Sequence, residues 1–128
     1  MKIAILISRI LLGILFVFSG ANGILHFIKG SLPPGDGNTF ATILATHNYF
    51  TFIALLMLIA GILLLVGRFV PLGLTILAPI LVNILCFHIF LQPSGISAGI
   101  IATLLEIFLI WAYRLSFRGL FDAAPEVS

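Results

Sequence analysis

Charge is what this chain has least of: Asp, Glu, Lys and Arg make up 8% of its 128 residues, against about a quarter in an ordinary soluble domain. The formal net charge is only +2 and the basic residues are scattered, which excludes a nucleic-acid surface. Cysteine is nearly absent too. Cys86 stands alone, so no intramolecular disulfide, CxxC redox pair or cysteine zinc site can form. Nor is there a glycine-rich phosphate loop, a Ser/His/Asp arrangement or a pair of carboxylates, which leaves hydrolase and transferase chemistry without a foundation. What fills the chain instead is apolar: 62% of its residues are hydrophobic and the mean hydropathy is +1.32.

The chain is organised around Arg68 to Gln92, whose intervening residues carry no charge and are numerous enough to cross the roughly 30 Å hydrocarbon core of a bilayer as a helix. Similar apolar segments run over about 3–28, 49–67, 70–92 and 96–115. Each is long enough to cross with some tilt. The fold class is therefore all-α, an integral membrane four-helix bundle in a single domain over 1–118 with a polar tail over 119–128. The start, with Lys2 before an apolar run, imitates a secretory signal, but Arg9 interrupts the run and favours a retained first span. Lys2, Arg9, Arg68, Arg114 and Arg118 belong to the N-terminus, the second connection and the tail, whereas only Lys29 lies in the first connection. That bias predicts a multi-pass protein with both termini in the cytoplasm.

The first connection, 29–48, is the long one. Its Pro33-Pro34-Gly35-Asp36-Gly37 run marks an external turn. Asn38 or Thr39 then caps a short surface helix presenting Phe40, Ile43, Leu44 and His47 on one face, the alternative being an irregular loop. The other two connections, at Arg68 and at Pro93 to Gly95, are so short that neighbouring spans must be antiparallel hairpins.

In lipid the few polar side chains are expected to turn inward and find partners. Glu106, near the middle of the fourth span, shares a face with the small residues Gly99, Ala102 and Thr103. Arg9 falls within about one helical turn of the same depth, and a structural ion pair between Arg9 and Glu106 is the natural way to hold both. A proton relay, or a snorkelling Arg9 beside a protonated Glu106, remain the alternatives. Ser19, Asn22 and His26 line one face of the first helix, while Arg9, Gly13, Gly20 and Gly23 form another stripe suited to close helix contact. On the third span Pro79 deprives the Thr75 carbonyl of its partner. Asn83 stands one turn beyond it, and His88 lies about 140° further round. His26, His47 and His88 fall near the outer end, but their spacing matches no metal motif, so hydrogen bonding or a ligand pocket is the reading preferred over metal or haem.

Ser8 to Ile28 and Gly61 to Leu91 together resemble the DoxX family of small four-span membrane proteins. The resemblance rests on the Arg of the first span, the Gly20-Ala21-Asn22-Gly23 run followed by His26-Phe27, and Gly67-Arg68-Phe69 leading through Pro71-Leu72 to Val82-Asn83-Ile84 and Phe87-His88. It implies a link to thiosulfate:quinone oxidoreductase, terminal oxidase complexes or assemblies that handle oxidative stress. It also implies that Arg9, Asn22, His26, Asn83 and His88 are the positions to carry over. Similar sequences often have a Lys and a Glu in the second span, where this chain has Ala54 and Met57.

These residues lead to an accessory or anchor subunit of a larger membrane redox assembly, with Asn22, His26, Asn83 and His88 forming an outer pocket for a quinone or lipid. No metal or cofactor belongs to the chain itself. Its partners are the lipid bilayer and other membrane subunits or further copies of itself. A catalytic quinone-linked subunit, which would need an outside electron source, and a small proton-coupled transporter or channel component are the alternatives.

Overall fold

A computed structural model describes residues 1–26 and 32–127, and within them the only regular structure is helical. The order is α1 (Lys2–Leu25), α2 (Asp36–Thr46), α3 (Tyr49–Val66), α4 (Val70–Phe90), α5 (Ile96–Ala112) and α6 (Arg114–Phe117), followed by a 3-10 turn over Arg118–Phe121. Helix is the economical answer for such apolar runs, because every backbone N–H and C=O inside it is satisfied without water. Three helices, α1, α3 and α4, are long and apolar enough to cross a membrane.

Each helix stops where the local chemistry allows. His26 takes a left-handed conformation and its N–H bonds the Asn22 carbonyl at 2.8 Å. The end assigned to the first span, at 27–28, lies outside the described residues. Gly67 closes α3 with φ 78°, its N–H on the Leu63 carbonyl at 3.0 Å, the left-handed cap that glycine adopts without strain. Phe69 then caps α4, with Pro71 in its first turn. α5 ends earlier than the segment 96–115 implied. The chain turns 81° at Tyr113, leaving α5 at 17 residues, about 25 Å of helix, and Phe117 folds back against the core.

α1 packs on α3 and α5, and α4 packs on the same two helices, so the four close into a ring. The α1–α3 contact is the closest. A methyl placed on Gly20 would come within 2.6 Å of the Ala54 carbonyl oxygen, and one on Gly61 within 2.7 Å of the Val17 backbone nitrogen. Gly13 and Gly23 meet Leu65 and Ala54 in the same way. The expected glycine stripe of α1 is thus the seam on which α3 lies antiparallel. Leu12, Phe16, Met57, Leu64, Leu74, Leu77, Leu81 and Leu109 fill the centre. Outside, large side chains such as Ile3, Leu104 and Ile107 remain more than half exposed, an arrangement that is consistent with a lipid surround and costly in water.

α2 begins at Asp36, earlier than Asn38 or Thr39, with Gly35 at its N-cap. Thr39 is already inside and donates its hydroxyl to the Gly35 carbonyl at 3.1 Å. The face turned to the bundle is also different: Gly37, Ala41 and Leu44 are covered, whereas Ile43 and His47 are exposed. Phe40 sits at the edge, its ring 5.9 Å from that of Phe87 on α4. Gly37 leads because a larger residue would strike the Gln92 side chain and the Leu91 carbonyl.

Candidate functional site

Helices α1, α3, α4 and α5 leave a cavity of about 160 Å³ at the end of the ring nearer α2. Its wall is mostly apolar, with Phe16 from α1, Met57 from α3, Leu81 from α4 and Ala102 from α5. Small residues make the room: Gly95, Ala98 and Gly99 at the start of α5 form one side. Two side chains bring polarity, Ser19 and His88.

The His88 ring is held in place. Its Nδ1 lies 2.9 Å from the Gln92 carbonyl oxygen, and a carbonyl only accepts, so Nδ1 carries the proton. In the neutral ring Nε2 is then left as an acceptor. Phe87 packs edge-on against it at 5.1 Å. Gln92 is itself buried and donates its side-chain amide to the Ser94 hydroxyl, while Gly37 of α2 rests on it. The loop after α4 therefore links the short helix α2 to the orientation of the histidine. Gln92 and its loop were not among the residues singled out; a polar residue immediately before a proline at a helix end was the available signal.

The four residues expected to share a pocket do not converge. His88 lines the cavity. Asn22 is half-buried one turn beyond Ser19 on α1; His26 is exposed at the C-cap of α1. Asn83 is exposed on the outer side of α4 and donates to the Pro79 carbonyl of its own helix at 2.9 Å. The rotation of about 140° between residues 83 and 88 is what separates them. Ala54 and Met57 are both buried. Ala54 abuts Gly20 and Gly23, a space with no room for a lysine, and Met57 is part of the cavity wall.

Glu106 is on α5, one turn from Ala102, and is 3% exposed. Neither carboxyl oxygen has a hydrogen-bond partner, and the expected pair with Arg9 is not formed. Arg9 turns instead toward the C-terminal end of α3, where its guanidinium occupies the space that a Cβ on Gly67 would need. Helix carbonyls left free at that end favour a cation. Arg9 also borders a second hollow of about 220 Å³ with Lys2, Ile5, Leu6 and Tyr113. Counting along one face of α5, Glu106 sits between Ala102 of the first cavity and Tyr113 of the second. Among the described residues, no group of three or more His, Cys, Asp or Glu converges as metal ligands do. Comparison with family models, with curated proteins and with solved structures finds no match for this chain.

Proposed function

We propose that the protein is a four-span inner-membrane subunit of the DoxX type, with both termini in the cytoplasm, which anchors or assists a larger redox assembly and holds the ring of a quinone or lipid in the cavity beside His88. The supporting observation is the cavity. An apolar hollow of about 150 Å³ accepts a single six-membered ring, which is similar to the volume of this half-open pocket. Ligand pockets of this kind pair an apolar wall with a few fixed polar groups, and the oriented imidazole with the Ser19 hydroxyl fits that pattern. Leu15 at the rim is exposed, so an alkyl tail could leave along α1 into lipid. Electron transfer would require a donor from another subunit, so the ligand's role here is binding and placement.

Mass spectrometry of the protein extracted in a mild detergent tests this. One quinone per chain is expected, with most of it lost on filling the cavity through Ala102→Phe. Extraction of phospholipid alone removes the quinone assignment, and an empty protein removes the ligand site altogether.

A second reading, a proton-coupled transporter component, is favoured by Glu106. A buried acid without a hydrogen-bond partner costs several kcal/mol and inside a membrane usually has a function. In proteoliposomes Glu106→Gln is expected to abolish proton flux under this reading. Flux unchanged from the native protein, or no flux from either, rules it out.

A further inference from the structure

Two polar side chains stand in the cavity wall, Ser19 and His88, and they differ in what they accept. A hydroxyl rotates, and serves as donor or acceptor according to what it meets, so Ser19 selects nothing. An imidazole whose proton is already committed has no such freedom.

The end of α4 makes that commitment. The helix stops at Phe90 and Pro93 follows two residues after Leu91, so the Gln92 carbonyl lacks the N–H that a continuing helix would bring to it. Gln92 is held in place by its own N–H, which donates to the Phe87 carbonyl at 3.0 Å. The His88 Nδ1–H takes the free carbonyl at 2.9 Å. The loop also covers this edge of the ring, for a Cβ on Gly95 would stand 3.4 Å from Cε1. Nε2 lies on the other edge. It has no partner among the described residues, and they do not seal it from what enters.

In the neutral ring Nε2 therefore offers a lone pair and nothing else. A ligand ring that carries only carbonyl oxygens brings lone pairs too. Two acceptors set against each other in an apolar wall leave both unsatisfied, which costs more than never forming the bond in water. A hydroxyl on the ring supplies the proton that His88 lacks.

We infer that the cavity selects a ring bearing an O–H donor, a phenol or the quinol form of a quinone, with that hydroxyl donating to Nε2 of His88. The inference rests on the reading of this cavity as a ligand site, and adds to it the hydrogen-bonding character of the ligand.

Three ring probes of similar size test it on the full chain in mild detergent. Para-cresol carries the hydroxyl, para-tolualdehyde only a carbonyl, and para-xylene neither. Para-cresol is expected to bind about tenfold more tightly than either of the others, the worth of one hydrogen bond. In His88→Leu the three should bind alike, and comparing ratios between the two proteins cancels partition into the detergent. Nitrogen NMR gives a readout that needs no change at residue 88. With His26→Gln and His47→Gln, both at exposed positions, His88 is the only histidine left. Above the ordinary imidazole range, its Nδ1 should carry the proton and its Nε2 none, and para-cresol alone should shift the Nε2 signal. Equal binding of the three rings to the native protein, or a proton on Nε2 before any ligand is added, overturns the inference and leaves the cavity as a ligand site. Failure of all three rings to bind removes the ligand site itself, a separate and distinguishable result.

Discussion

At the scale of single residues, size matters more than polarity in setting positions in this molecule. Gly20 is the sharpest case. Its missing Cβ lets the Ala54 carbonyl and the Leu58 backbone nitrogen come so near that even a methyl would sit within 2.7 Å of both. Those neighbours are backbone and cannot swing aside. Gly20→Ala is therefore expected to cost about 1–3 kcal/mol, the usual penalty for overpacking a filled contact, and Gly20→Val more. Gly119, which has nothing near its missing Cβ, should tolerate Ala within about 0.5 kcal/mol. Reversible unfolding in mixed detergent micelles would measure both; equal losses at the two positions would refute the seam. The glycine stripe was legible because Gly13, Gly20 and Gly23 recur on one face of a helix. The fate of Asn83 was not: polarity suggested an inward side chain, and it points outward. Arg9 and Glu106 were expected at matching depths, but depth along an axis says nothing about rotation: Arg9 turns to Gly67 and the Glu106 carboxyl has no hydrogen-bond partner.

At the scale of elements, the apolar runs specified helices and left their faces undefined. α3 is apolar nearly all round, so nothing in its pattern says which side meets α1 until Ala54 and Gly61 are seen to accept the glycines. α2 reverses the more common case. Phe40, Ile43, Leu44 and His47 were the expected inner face, yet only Leu44 of these is covered, together with Gly37 and Ala41. The reason is the close approach to Gln92 and Leu91, which admits only a small side chain at the point of contact. α5 illustrates the limit of reading ends. The apolar run continues past Ala112, but the chain bends at Tyr113, and Phe117 gains more by returning to the core than by extending the helix. Arg114 closes the corner, its guanidinium 4.7 Å from the Trp111 ring and bonded to the Trp111 carbonyl at 2.9 Å.

At the scale of the whole molecule, the ring of four helices sorts its surface by solvent. Bulky aliphatic residues face out, Glu106 is enclosed, and among the described residues Lys2, Arg9, Arg68, Arg114 and Arg118 belong to the helix ends opposite α2. Under the proposed topology, with both termini cytoplasmic and α2 on the far side, cysteines placed at the two ends must differ in access. In a Cys86→Ser background, Asn38→Cys on α2 is expected to react with an impermeant maleimide added outside. Ser116→Cys, exposed beyond the bend, should react only after the membrane is opened. The reverse pattern would invert the orientation, and labelling of both from one side would exclude an arrangement in which α1, α3, α4 and α5 all cross.

The sequence alone decided the solvent and the secondary structure. With so few charges and such long apolar runs, backbone groups can be satisfied only within helices, and that follows from composition without any knowledge of neighbours. It also decided one contact, since three glycines on one face announce a close approach. Tertiary structure decided everything that depends on rotation about a helix axis: which histidine reaches the cavity, where Arg9 and Glu106 go, and why Asn83 looks outward. In a helix that is apolar on every side, hydrophobicity cannot choose a face. Only the fit of one side chain against the next helix can.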